Sequence, residues 1–425
     1  MDKSMFKKFK LENGLRTIFI PQKNTQAVTV LVLVKTGSKY EKKDINGISH
    51  FLEHMCFKGT KKFPSPVAVA EVMDRIGGIF NAFTDQDYTG YFAKVETSKF
   101  ALALDWVSDI FLNSILPEEE IEKEKKVITE EINMIYDNPL NYIEVLWLKL
   151  LYGDQPAGWD ITGTKETVGK VDREKLLYYR KNRYLPSNTL LCIAGNVEIK
   201  KALELIEKYF LKIQPKNLLE KEKVTEKQTK PQCFLGKRKT DQTHIFLGVR
   251  GCNLFHPLRY AQELLGIILG GMMSSRLFIE IRGKLGLAYY INTFTEKNPD
   301  TGYLVARAGV DSNRVEIAIS RILAEFKKIL EKKIPDSEIK KAKENIKGRL
   351  ALVLESSDAR AIFFGLQELL ENRILTLKQI YKKIDAITPT DIMKVAEEIF
   401  KPEKLNLALI GPFENKEKFE KLLKL

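Results

Sequence analysis

Cysteine, histidine and tryptophan are scarce in this 425-residue chain, which has four cysteines, four histidines and three tryptophans. Cys56, Cys192, Cys233 and Cys252 are widely separated and form no C-x-x-C pair. That spacing suggests neither a thiolate metal site nor a disulfide framework, so buried, reduced thiols are the expectation. No apolar run approaches the roughly 18 residues of a membrane-spanning helix. The opening stretch Met1 to Lys10 carries no apolar secretory segment, so the chain is expected to act in the cytoplasm, away from membranes. The double glycine Gly270-Gly271 is not followed by Gly-Lys-Ser/Thr and is too weak a signal to suggest phosphate binding. Net charge is +13, but the lysines are scattered among glutamates. With no basic block interleaved with aromatics, nucleic acid is not an expected partner.

What is present is an ordinary globular composition, 44% hydrophobic, in a chain longer than one core usually organises. Gln214 to Gln232 is charged, polar and bounded by Pro215 and Pro231, and it reads as a connector. The expected domains are therefore residues 1–213 and 233–425, joined by a linker at 214–232. The two halves resemble each other. Pro186 to Gly195 and Pro402 to Gly411 are each a proline, a polar turn and an apolar strand ending on glycine, 216 positions apart. Val28 to Gly37 and Thr243 to Gly251 are strands running into glycine at an offset of 214. Near-equal offsets at both ends indicate a duplicated fold. Helical patterns cover Pro66 to Ile76, Lys99 to Asn113, Pro117 to Tyr136 and Leu140 to Leu151 in the first half. In the second they cover Leu258 to Leu269, Arg314 to Glu331, Asp336 to Leu352 and Pro389 to Phe400. Strands and helices come in runs, which predicts an α+β fold with an antiparallel sheet in each repeat.

Two of the four histidines stand in His50-Phe51-Leu52-Glu53-His54. Residues four apart on a helix lie one above the other, so His50 and His54 can share one ion, with Glu53 close beside them. This H-x-x-E-H order is the zincin motif reversed. A catalytic zinc site takes three protein ligands and leaves one position open, so a third ligand is required from elsewhere. The helix after Pro117 offers it. Glu124 and Glu131 fall within its apolar stripe of Ile121, Ile128, Ile132 and Ile135, and a carboxylate facing a core needs a partner or a metal. Glu131 is assigned to the metal and Glu124 to the far nitrogen of a ligand histidine. Glu130 lies about 100° around the helix, away from the stripe. His244 and His256 have no ligand-spaced neighbours and read as structural. At the 214 offset Leu264, Ile267 and Ile268 stand opposite His50, Glu53 and His54, so one metal site per chain is expected.

Three stretches carry a resemblance to the pitrilysin and insulin-degrading peptidase family, the inverzincins, and most closely to its processing-peptidase branch. The first is GISHFLEHMCFKGT (Gly47 to Thr60), with Glu124 and Glu131 in EKEKKVITEEI. The second, GGIFNAFTDQDYTGYF (Gly77 to Phe92), resembles the family's edge strand beside the metal. There Asn81, Ala82 and Phe83 would take an extended substrate as an added strand. The third is GGMMSSRLFIEIRGKLGLAYY (Gly270 to Tyr290), in which Arg282 and Tyr289 match the family's substrate-binding arginine and tyrosine. The resemblance implies a zinc endopeptidase that hydrolyses peptides or unfolded segments inside a chamber closed by two polypeptides. It implies one Zn2+ per chain, Glu53 as general base, and oxyanion stabilisation by Tyr289 and Arg282. The assembly would be a homodimer or a heterodimer with a related subunit. The competing reading is a non-catalytic peptide-binding or core structural subunit of the same fold.

Overall fold

The computed structural model describes residues 5–425. Its strands are β1 (Lys7–Lys10), β2 (Arg16–Pro21), β3 (Ala27–Val34), β4 (Ile79–Thr84), β5 (Thr89–Glu96), β6 (Thr189–Gly195), β7 (Gln232–Lys237), β8 (Thr243–Arg250), β9 (Ala288–Lys297), β10 (Gly302–Val310) and β11 (Leu405–Gly411). One sheet has the order β1-β2-β6-β3-β5-β4 and the other β7-β11-β8-β10-β9. Neighbours are antiparallel except β2 with β6 and β7 with β11. With β1 set aside, the two orders match strand for strand. The fold is α+β with two homologous repeats, as the sequence offsets predicted.

The run AVTVLVLV of β3 is apolar at nearly every position because its sheet is covered on both faces. Val28, Val30, Val32 and Val34 join one core with Leu104, Val107 and Ile110 of the helix Phe100–Asn113. Leu31 and Leu33 point to the opposite face and pack with Ala361, Phe364 and Leu369. Those three belong to the helix Ser357–Glu371, which comes from the second half of the sequence. Gly365 permits the approach, since a Cβ there would lie 2.7 Å from Cys192 Sγ and from Leu33 Cδ1. The reciprocal exchange also occurs. The helix Pro139–Tyr152 of the first half packs Ile143, Leu146 and Trp147 against Phe246, Val305, Ala408 and Ile410 of the second sheet.

The chain accordingly forms two units that are not contiguous in sequence. The first takes the residues up to Asn133 with Asp160–Glu222 and Ala351–Thr376; the second takes Met134–Trp159, Lys223–Leu350 and Leu377–Leu425. The connector from 214 contains no helix or strand until Gln232 opens β7. It is nevertheless held to each unit. In the first, Arg183 donates to Leu219 O and Lys221 pairs with the buried Asp87. In the second, Gln228 Nε2 donates to Leu405 O at 3.1 Å, and its Oε1 accepts from Asn406 at 3.0 Å. Among the described residues no helix is long and apolar enough to cross a membrane. All four cysteines are free and buried.

Candidate metal centre

The helix Ile48–Met55 places the chemistry. Ile48, Phe51, Leu52 and Met55, at helical spacing, are fully buried in the first unit's core, which turns His50, Glu53 and His54 to the other side. The helix starts at Gly47, with φ +95°, where a Cβ would lie 2.6 Å from Thr162 O. Gly47 has no side chain to cap the exposed amides. The buried carboxylate of Glu41 does so instead, accepting from Gly47 N at 2.7 Å, Ser49 N at 2.8 Å and Asn46 Nδ2 at 3.0 Å.

A second helix, Glu118–Asp137, presents Glu124 and Glu131. Glu124 is almost fully buried, whereas the Glu131 side chain is 38% exposed. Glu130 is exposed and engages Asn133 on its own helix. His50, His54 and Glu131 each bring one ligand atom within 4.8 Å of the others, and no other such group of three is found among the described residues. The Nε2 atoms of His50 and His54 are 3.2 Å apart, and Glu131 Oε2 lies 3.6 Å and 3.8 Å from them respectively.

These distances suit a metal ion. Three ligand atoms about 2.1 Å from one tetrahedral ion are spaced about 3.4 Å apart. Glu124 Oε1 accepts from His54 Nδ1 at 2.8 Å while its Oε2 pairs with Lys58 Nζ at 2.6 Å. Burial opposes the charge on Glu124, but these two bonds outweigh it and hold the carboxyl below its usual range. With the His54 proton fixed on Nδ1, neutral His54 presents a lone pair from Nε2. Burial, reinforced by His54, pushes the His50 imidazole down to about 3, so His50 is a neutral donor. Burial also raises Glu131, with Asp160 adding to the rise and His54 opposing it. Two imidazole nitrogens and a carboxylate thus converge with no lysine or arginine among them, a donor set that fits a divalent cation.

Glu53 is 9% exposed. Burial lifts its carboxyl above the usual range against the pull of a hydrogen bond from Thr84 and of the nearby His54. The bond from Thr84 Oγ1 to Glu53 Oε2 is 2.5 Å. Thr84 closes β4, which pairs only with β5 and forms the sheet's edge. Asn81, Ala82 and Phe83 therefore lie on an open strand edge. Phe80 and Ala82 face the core that holds the His50 helix, while Phe83 faces the opposite core. Gly90 accommodates the Phe83 ring, because a Cβ there would come within 2.3 Å of it.

Known proteins resemble this chain along nearly its whole length. The family model described as Insulinase (Peptidase family M16) matches residues 16–165, and the one described as Peptidase M16 inactive domain matches residues 170–346. An uncharacterized zinc protease of Bacillus subtilis, YmxG, is 36% identical over 97% of this chain and 99% of its own length. This chain belongs to the insulinase peptidase family, M16. Another relative, an uncharacterized zinc protease of Rickettsia bellii, is 33% identical over 96% of this chain and 98% of its own. The crystal structure of a protease from Helicobacter pylori superposes with a TM-score of 0.89 at 25% identity, covering 96% of this chain and 99% of that one. A chain of Complex III2 from Candida albicans shares the fold, with a TM-score of 0.85 at 18% identity, covering 99% of this chain and all of that one.

The second M16 repeat has apolar side chains at the three equivalent positions of the corresponding helix. Leu264, Ile267 and Ile268 sit in the helix Arg259–Gly270 and are buried. His244 Nδ1 bonds Tyr290 OH at 3.0 Å, and His256 lies between Cys252 and Glu398. Arg282, in the turn of helix Phe278–Lys284, is exposed and stacks over the Phe278 ring at 4.9 Å. Tyr289 is 75% exposed. It is the extra residue of a bulge in edge strand β9, where Ala288 and Tyr290 pair with the adjacent Val310 and Gly309. Both lie in the second unit.

The sequence did not single out Glu41, Lys58 or Thr84. For Thr84 a signal existed: it continues the alternation of Phe80 and Ala82 onto the helix-facing side of β4. Glu41 and Lys58 lie outside the helix that they serve, and no periodicity points to them.

Proposed function

We propose that this chain is a zinc-dependent endopeptidase that hydrolyses peptides or unfolded segments. In this reading His50, His54 and Glu131 hold one zinc ion, and Glu124 orients His54. The observation that carries it is the convergence of two imidazole nitrogens and a carboxylate oxygen within 4.8 Å, with the buried Glu53 on the same helix. The names of the relatives as zinc proteases support it. Bound there, zinc supplies a water acidified toward neutrality and a Lewis acid for the scissile carbonyl.

The chain's own residues do the rest. Glu53 takes the proton of the attacking water and returns it to the leaving amine; its raised affinity for protons suits both transfers. The open edge of β4 at Asn81, Ala82 and Phe83 pairs with an extended peptide as an added strand, which secures affinity through main-chain bonds and makes little demand on side chains. Arg282 and Tyr289 are the substrate-binding residues of the second repeat. Both are exposed donors, and the Tyr289 phenol stabilises the oxyanion. The working assembly is a homodimer, or a heterodimer with a related subunit, in the cytoplasm, closing a chamber that admits only unfolded or short peptides. The likeness to a chain of Complex III2 concerns the fold, and the intact His50, Glu53, His54 and Glu131 weigh against a purely structural role.

Cleavage of an internally quenched peptide of about ten residues tests the reading. Activity is expected to vanish on chelation and return with stoichiometric zinc. Cleavage that persists in protein shown to be free of metal would overturn it.

A further inference from the structure

We infer that Thr84 is a positioning residue for the general base: it holds Oε2 of Glu53 and leaves Oε1 as the oxygen that receives the proton from water. The inference rests on the role proposed above for Glu53.

A hydroxyl has one proton to donate. Two acceptors lie within reach of Thr84 Oγ1, namely Glu53 Oε2 at 2.5 Å and Thr89 Oγ1 at 3.5 Å. The shorter contact, to a carboxylate, takes the proton. Thr89 is fully buried, stands directly across the ladder from Thr84, and donates its own proton to Thr36 O at 2.9 Å. The Thr84 backbone is thereby set against a rigid neighbour, and its hydroxyl has a single direction to point. A carboxylate left to itself can rotate and exchange its two oxygens. Glu53 cannot do so without giving up the Thr84 bond, and Oε1 has no hydrogen-bond partner among the described residues. One oxygen is therefore held and the other is left to react.

The position of Thr84 in the chain gives the contact its meaning. It is the last residue of β4, immediately after Asn81, Ala82 and Phe83, where the substrate strand is proposed to pair. One strand therefore aligns the peptide through its edge and the base through its terminal hydroxyl. The Thr84 bond thus ties the Glu53 carboxylate, carried by the helix Ile48–Met55, to the strand that aligns the peptide. Proton transfer demands that its groups be aligned to within a fraction of an ångström.

Steady-state kinetics on the quenched peptide, with zinc content measured in parallel, compare wild type, Thr84→Val, Thr84→Ser and Glu53→Gln. Valine keeps the β-branched shape that suits a strand and removes the hydroxyl; serine keeps the hydroxyl. Thr84→Val is expected to bind a full equivalent of zinc, keep KM within about twofold, and lose roughly ten- to a hundred-fold in kcat, the scale of one hydrogen bond to a charged group. Thr84→Ser is expected to recover most of kcat. Wild-type kcat in Thr84→Val, or equal losses in Val and Ser, or a loss confined to KM or zinc content, would overturn the inference while Glu53→Gln remains inactive. If Glu53→Gln instead cleaves as fast as wild type, the base assignment fails and the role of Thr84 fails with it.

Discussion

Replacing Glu124 with glutamine should weaken zinc binding even though Glu124 touches no metal. The carboxylate is 3% exposed and engages two charged or polarised donors, His54 Nδ1 at 2.8 Å and Lys58 Nζ at 2.6 Å. Glutamine retains the shape but not the charge. Its amide oxygen can still accept from one donor, while its NH2 group must then confront the other. If the oxygen stays with His54, the Lys58 ammonium faces an amide N–H; if it turns to Lys58, the His54 Nδ1–H is left unmatched. A hydrogen bond to a charged group contributes about 1.5–3 kcal/mol, and loss of such a partner behind a ligand histidine weakens metal binding by roughly 10–100-fold. Competition for zinc against a chromogenic chelator at fixed pH measures the change directly. Adding Lys58→Met removes the unmatched ammonium, and the double variant should regain part of the lost affinity. A zinc Kd in Glu124→Gln within twofold of wild type would refute the claim that Glu124 sets the His54 tautomer.

Three further outcomes follow from the same geometry. Glu41→Ala removes the cap from the Gly47 and Ser49 amides and should lower stability by about 2 kcal/mol, read from the urea midpoint; an unchanged midpoint would show that the cap contributes nothing. At His54 burial opposes protonation, but the Glu124 hydrogen bond together with Glu53 outweighs it, so the metal-free imidazole titrates above its ordinary 6.5. That shift gives the metal-free protein stability that is complete below about pH 6.5 and fades as pH rises through the higher folded value. Because proton and metal compete for the same nitrogen, zinc affinity should rise about tenfold per pH unit up to that value and flatten above it; a pH-independent Kd between pH 6 and 7 would contradict this. Tyr289→Phe should lower kcat by roughly 10²–10³ with zinc content unchanged, and wild-type turnover in that variant would remove the phenol from the chemistry.

Some of this was legible in the sequence for reasons that the structure makes plain. The stripe of Ile121, Ile128, Ile132 and Ile135 marked a helix, observed at Glu118–Asp137, and two carboxylates embedded in it needed an explanation. Glu124 is as buried as the stripe implied. Glu131 is only half-buried, as are Ile132 and Ile135, because the helix leaves the core toward its C-terminal end. The duplication was legible because strand ends on glycine recur at nearly fixed spacing, and equivalent strands occupy equivalent places in the two sheets. The exchange of Pro139–Tyr152 and Ser357–Glu371 between the sheets was not legible. An apolar stripe shows that a helix buries one face, not which sheet receives it. The continuous apolar run of β3 did carry the related fact that both faces of its sheet are covered. The contacts of Thr84 and Lys58 depend on tertiary approach and leave no periodic trace.

Glu53 is proposed as the base beside a zinc ion held by His50, His54 and Glu131. The most direct test measures zinc content and peptide turnover together in wild type and Glu53→Gln. One zinc per chain is expected in both proteins, with turnover abolished only in Glu53→Gln. Equal turnover in the two at equal zinc content, or an absence of zinc from active wild-type protein, would contradict it.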